Sequence, residues 1–223
     1  MRRKDKLSVG GVYHIFNKSI ANFKIFNNEA EFLRMRYMLK YYQRDMLHDC
    51  FARFMEREKV IKSGFYSAFA LIEHNKGKLV DIIAFCLMPS HLHLILRQVK
   101  ENGISLFVGN LLNSYARYFN LKHRRKGPLW EGRFKDVLVN HDEYLLHLTR
   151  YLHLNPVTSY LVECPDQWQH SSFLEFLSKA NKEEAICQFS DILSVRPTAY
   201  KKFVEDRIAY QRELAKIKDL ILE

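Results

Sequence analysis

Apolar residues recur along this chain with two different periods, and the switches between them mark its elements. Val12 to Lys18 alternates closely enough for a first strand, behind the break at Gly10-Gly11. Phe32, Met35, Met38, Leu39 and Tyr42 then recur at helical spacing. Asn27-Asn28 offers a cap ahead of Glu29 and Glu31, and the helix is predicted to reach about Asp49. Residues 51–64 are charged and ambiguous, 65–72 fit a short strand or a helix end, and 74–78 read as a turn. Leu79 to Met88 and His91 to Gln98 are apolar strands separated only by Pro89-Ser90, which predicts an antiparallel hairpin. A long amphipathic helix is predicted from Gly103 to Arg125, stopped by Gly127. A fourth strand, Arg133 to Val139, precedes a helix that starts at His141-Asp142-Glu143 and is limited by Pro156. Beyond it the pattern is helical in pieces, over 173–179, 183–193 and 199–222.

The order strand, helix, strand, strand, helix, strand, helix predicts an α+β fold. It is the ferredoxin-like, RRM-like split βαβ arrangement, an antiparallel sheet with helices on one face. A helical C-terminal extension follows. The expected division is a catalytic domain over 9–160 and the extension over 161–223.

The strand beginning at His91 carries the first candidate chemistry. His91 and His93 are two apart, so in a strand both imidazoles project to one face while Leu92, Leu94 and Leu96 take the other. Two neutral imidazoles converging from one strand can hold a divalent cation. Some 60 residues downstream, Tyr151 and Asn155 are four apart, about 40° from each other on a helix face. The Asn155 carbonyl could be a third ligand to a metal held by His91 and His93. Tyr151 could then attack a phosphate polarised by that metal, giving a covalent phosphotyrosine.

Charge changes the picture next. The chain of 223 residues has a net charge of +10, which points to a polyanionic partner, nucleic acid before membrane surface. No apolar run approaches 18 residues and none has signal-peptide form, so no membrane association is expected. The four cysteines, Cys50, Cys86, Cys164 and Cys187, form no C-x-x-C pair and are expected as reduced thiols in the cytoplasm. The basic run from Lys122 to Lys126, with Arg124 and Arg125 inside it and Trp130, Arg133 and Phe134 behind it, is the candidate DNA-binding surface. Trp130 could as well anchor the core.

Three motifs in order, Pro89-Ser-His-Leu-His93, Gly127-Pro-Leu-Trp-Glu-Gly-Arg-Phe134 and Tyr151-Leu-His-Leu-Asn-Pro-Val157, resemble those of the REP-associated tyrosine transposases, a branch of the single-tyrosine HUH transposases. Trp168 to Ser172 is similar to the family's Trp-x-x-Ser-Ser element. The resemblance covers about residues 9–175. It implies a metal-dependent endonuclease and strand transferase acting on single-stranded DNA hairpins through a 5′-phosphotyrosine. Tyr151 would be the nucleophile, and His91, His93 and Asn155 the ligands of Mg²⁺ or Mn²⁺. A homodimer is implied by the family alone. Ser90 departs from the Asn or Glu usual before the first histidine.

Other residues compete for these roles. Tyr115 and Tyr118 on the long helix are alternative nucleophiles, but Tyr115 and Asn120 lie about 140° apart and do not share a face. Both tyrosines are read as packing or DNA contacts, Tyr144 as core and His153 as packed. The rival function is a non-catalytic nucleic-acid-binding module with an RRM-like sheet. It leaves His91, His93, Tyr151 and Asn155 without a joint purpose, and no RNP-like string occurs.

Overall fold

The computed structural model describes residues 7–45 and 49–221, with side chains as far as residue 215. Four strands form one sheet, β1 (Val12–Lys18), β2 (Val80–Met88), β3 (His91–Gln98) and β4 (Lys135–Val139), in the order β2-β3-β1-β4. Every neighbouring pair is antiparallel. The expected hairpin joins β2 and β3 at Pro89-Ser90. The central strand β1 pairs Phe16 with His93 on one side and with Lys135 on the other.

The alternation of β1 and β3 divides the core in two. Tyr13, Ile15, Leu92, Leu94 and Leu96 face α1 (Glu29–Tyr42) and α4 (Gly103–Lys122). Asn28 caps α1 as expected, its side chain accepting from the Glu31 N–H at 3.2 Å. Gly103 opens α4 so close to β2 that a Cβ there would stand 2.1 Å from the Leu79 carbonyl oxygen. Ile95, Ala84, Cys86 and Val139 face the other way, toward α5 (Asp142–Thr158). The expected helical layer of α1 and α4 is therefore present on one face, and α5 with the C-terminal segments covers part of the second.

Several boundaries differ from the sequence expectation. The first helix ends at Tyr42 and does not run on to Asp49: Gln43, Arg44 and Asp45 are not helical, and residues 46–48 lie outside the described residues. Residues 51–73 are helical, as α2 (Phe51–Met55) and α3 (Glu58–Glu73), with a break at Gly64 where φ is +80°. Pro156 does not end α5, which reaches Thr158. The Thr158 hydroxyl donates to the Leu154 and Asn155 carbonyls and closes the last turn. Of the tail, α6 is only Phe173–Phe176, and α7 (Pro197–Glu205) and α8 (Ile208–Ile221) follow. The helix expected over 183–193 is absent because its backbone bonds elsewhere. The N–H groups of Ile186 and Cys187 donate to the Glu175 carboxylate, and that of Gln188 to the Ile82 carbonyl on β2.

The Trp168–Ser172 element is sewn to the outer edge of β2. The Leu87 N–H donates to the His170 carbonyl and the Ser172 N–H to the Phe85 carbonyl, while the Trp168 indole donates to Leu87 O at 3.0 Å. This covers the backbone groups that an edge strand would leave open. Ser172 Oγ also meets His153 Nε2 at 2.8 Å, and His153 Nδ1 meets the Tyr200 hydroxyl at 2.7 Å. His153 is thus a packed core residue, as expected. No helix among the described residues is long and apolar enough to cross a membrane.

Candidate active site

Strand β3 presents His91 and His93 on the face of the sheet that α5 partly covers. Their rings are in contact, with centroids 5.2 Å apart, so the two imidazoles share one face as their spacing predicts. Helix α5 packs most closely on β2, and this brings Tyr151 edge-on to His93, with ring centroids 5.9 Å apart. Asn155 follows one turn later, beside the Tyr151 hydroxyl. It is buried, and its Nδ2 has no hydrogen-bond partner. The strand and the helix thus bring together Tyr151 with His93 and His91, and Asn155 with Tyr151.

Tyr151 is 44% exposed, against 0% for Tyr115. The Tyr115 hydroxyl donates to the Ile25 carbonyl at 2.5 Å inside the other core layer. Tyr118 stacks beneath the Arg34 guanidinium. Both are packing residues. Tyr144, expected in the core, is instead 42% exposed, while its neighbours Leu145 and Leu148 take the buried face of α5.

Burial sets the protonation of the site. His93 is pushed down to about 3, by burial first and then by its neighbours His91 and His14. His91 is lowered by burial and by Lys18. Both imidazoles are therefore neutral at pH 7, the state in which a ring nitrogen can donate to a metal. Burial raises the Tyr151 phenol above its ordinary range, so its proton stays on at neutral pH.

An open groove of about 540 Å³ runs beside the histidines, lined among others by Phe16, Lys18, His91, His93, Arg133 and Lys135. Of the expected DNA-binding residues, Arg133 alone lies in it. Lys122 sits at the end of α4, a helix of the opposite layer, and pairs with Glu31 at 2.9 Å. Arg125 closes its own loop, donating to the Asn120 side chain and to the Pro128 carbonyl at 2.7 Å. Trp130 packs against the core and donates its indole N–H to the Leu112 carbonyl, which realises the anchor reading. Arg124, with φ at +50°, and Lys126 stand at the exposed turn. Sequence reasoning did not single out His14, Phe16, Lys18 or Lys135. His14 and Phe16 share the alternation of β1, but the register that sets them beside His93 is a tertiary fact.

Comparison with known proteins gives a consistent relationship. The family model described as "Transposase IS200 like" matches residues 46–155. A Haemophilus influenzae protein provisionally named a REP-associated tyrosine transposase is 28% identical over 104 residues, covering 42% of this chain. The chain spans 58% of that relative's length. A solved REP-associated tyrosine transposase bound to a REP hairpin superposes with a TM-score of 0.52 at 13% identity, over 88% of this chain and 99% of that one. A transposase-like structure from Deinococcus radiodurans, 15% identical, covers 67% of this chain and 95% of its own with a TM-score of 0.36, too low to argue from. The resemblance read from the motifs is thereby borne out: the chain is similar to the IS200-like transposases over residues 46–155, is similar in sequence to a REP-associated tyrosine transposase, and shares the fold of one.

Proposed function

We propose that this protein cleaves and rejoins single-stranded DNA at hairpins, using Tyr151 as nucleophile and a divalent cation held by His91, His93 and Asn155. The observation that carries the reading is the contact of Tyr151 with His93 across the α5–β3 junction, on a side chain that is 44% exposed. A hairpin substrate is supported by the solved relative, which is bound to a REP hairpin.

The donor set suits Mg²⁺ or Mn²⁺. Two neutral imidazoles lie on one face, and the buried Asn155 side chain, beside the Tyr151 hydroxyl, carries an amide oxygen that can ligate a hard cation. Among the described residues no group of three or more His, Cys, Asp or Glu is placed to hold a metal. Two imidazoles and an amide leave room for phosphate oxygens and water, as a catalytic site requires. When bound, the cation would supply Lewis-acid stabilisation of the charge that develops on the attacked phosphate.

The chain's own residues do the rest. Tyr151 projects from a helix whose far side is anchored through His153, Ser172 and Tyr200, so the phenol is held on a rigid support. Its oxygen bonds to phosphorus as the bond to the 3′-oxygen breaks, leaving a 5′-phosphotyrosine and a free 3′-hydroxyl. The phosphotyrosine keeps an ester linkage, so a second 3′-hydroxyl can reverse the step without ATP. Lys18, Arg133 and Lys135 line the groove where a strand would approach, and Phe16 offers a ring for an unpaired base.

The test is incubation of the protein with end-labelled hairpin DNA and Mg²⁺ or Mn²⁺, reading the covalent adduct on a denaturing gel. Tyr151→Phe is expected to lower adduct formation by at least about 10³-fold and to leave hairpin affinity nearly unchanged. His91→Ala is expected to lose cleavage too, and Tyr115→Phe to keep it. Wild-type protein that binds hairpins but never forms an adduct would establish the binding-module reading instead.

A further inference from the structure

His14 lies outside the stretch matched by the family model, residues 46–155, and none of its chemistry is absorbed by the roles above. It is buried at 8% exposure in the middle of β1, within the stretch paired with β3. Its Nε2 stands 3.0 Å from Nδ1 of His93. The two rings are inclined by only 21°, which suits an in-plane hydrogen bond between ring nitrogens. Phe16 packs against both, with centroids 5.0 Å from His14 and 5.9 Å from His93, and so restrains their rotation.

One proton lies between these two nitrogens, and its owner decides what His93 can do. If His14 donated, His93 would carry its own proton on Nε2, and neither of its nitrogens would be free for a metal. If His93 donates from Nδ1, the lone pair of Nε2 is free. His91 is arranged in the same way, since its Nδ1 meets Ser90 Oγ at 3.2 Å. Both Nδ1 atoms are thus occupied by a neighbour, and both Nε2 atoms remain.

We infer that His14 is the positioning residue of the metal site: it accepts the Nδ1 proton of His93 and thereby commits His93 to bind the cation through Nε2, with Ser90 in the corresponding role at His91. This rests on the metal reading of the site proposed above. The physical logic is that of outer ligands generally, which orient a metal-binding imidazole and raise its basicity. It also gives Ser90 a use, since a hydroxyl can accept from Nδ1 as an Asn or Glu side chain can.

The test is Mn²⁺ affinity without DNA, from the electron paramagnetic resonance signal of the free ion, on wild-type, His14→Phe, His14→Gln and His91→Ala proteins. His14→Phe keeps a planar ring and removes the acceptor, and is expected to weaken Mn²⁺ about 10- to 100-fold. His14→Gln restores an acceptor oxygen and is expected to recover part of the loss, which a purely packing role would not give. A second reading needs no variant. Nitrogen-15 spectra of wild-type protein with Mg²⁺ are expected to show His93 protonated on Nδ1. Unchanged Mn²⁺ affinity in folded His14→Phe, or a His93 proton on Nε2 with the cation bound, would overturn the inference while leaving the metal site standing. Absence of Mn²⁺ binding by the wild type, or its persistence in His91→Ala, would remove the metal reading and this inference together.

Discussion

Glu31 offers the sharpest quantitative test of how the two ends of the α1–α4 layer are joined. Its carboxylate is wholly buried and accepts from four donors: the Asn27 N–H at 2.7 Å, the Asn27 amide at 3.1 Å, Lys122 Nζ at 2.9 Å and His123 Nε2 at 2.7 Å. Burial alone would raise its pKa. Lys122, the Asn27 backbone, His123 and the Asn27 side chain outweigh it and take the group down from 4.5 to about 2. A folded value below the unfolded one means that the unfolded chain binds more protons in between. The stabilisation is therefore full above about pH 4.5 and is lost as pH falls toward 2. The whole shift would correspond to about 3 kcal/mol. Lys122 and His123 are each about a third exposed, and solvent screening reduces the figure to about 1–2 kcal/mol. Glu31→Gln keeps the size and removes the charge. At pH 7 it is expected to lower stability by about 1–2 kcal/mol, or roughly 3–6 °C in Tm for a chain of this length. Thermal unfolding followed by circular dichroism from pH 7 to pH 2.5 reads both numbers. The gap between wild type and variant should close as pH falls. A gap that is absent at pH 7, or constant down to pH 2.5, would refute the assignment of Glu31 as the anion that latches the basic cluster.

Four further outcomes follow from the geometry. Binding of a hairpin with a single-stranded flank should weaken with salt, and Arg133→Ala with Lys135→Ala should make the slope shallower by about 0.7 for each phosphate no longer neutralised, measured by fluorescence anisotropy. Arg125→Ala should chiefly lower Tm, because that guanidinium closes a loop, and a larger effect on the slope than that of the groove pair would place the DNA elsewhere. Gly103→Ala should cost about 2–4 kcal/mol in urea unfolding, since the new methyl group meets the backbone oxygen of Leu79, and an unchanged midpoint would deny that close approach. Chelation of divalent ions should abolish the covalent adduct, and Mn²⁺ should restore it at lower concentration than Mg²⁺, because imidazole ligands suit Mn²⁺ better.

The difference between what was legible in the sequence and what was not follows the range of the interactions. Strand alternation is local, so His91 and His93 on one face could be read directly, and so could the Asn28 cap and the hairpin at Pro89-Ser90. The ordered motifs tied Tyr151 and Asn155 to the same site across 60 residues, and the ring contact of Tyr151 with His93 agrees with that pairing. The basic cluster was harder, because composition cannot tell a free cation from one whose partner lies far away in sequence. Lys122 is bonded to Glu31, 91 residues earlier, and Arg125 is folded back on its own loop. The helix expected over 183–193 failed for a related reason. Its periodicity was present, but the Glu175 carboxylate and the edge of β2 offer its N–H groups partners with which a helix would have to compete. His14 marks the far end of this scale. Nothing near it in sequence distinguishes it from a packed histidine, and only the register of β1 against β3 places its Nε2 on His93. A residue of that kind is invisible to local pattern because its chemistry is defined by one hydrogen bond made 79 residues away. The edge element Trp168–Ser172 works in the opposite direction. It was legible as a motif, yet its task, to cover β2 and to fix His153 on the far side of the helix from Tyr151, emerges only when its hydrogen bonds are traced. The helix that carries Tyr151 is thus held from behind by the tail of the chain, and His93 in front of it is packed by His14 and Phe16 of the first strand. On the proposed function, the site therefore draws on residues from β1 and from beyond 160, even though the motif residues themselves come from β3 and α5.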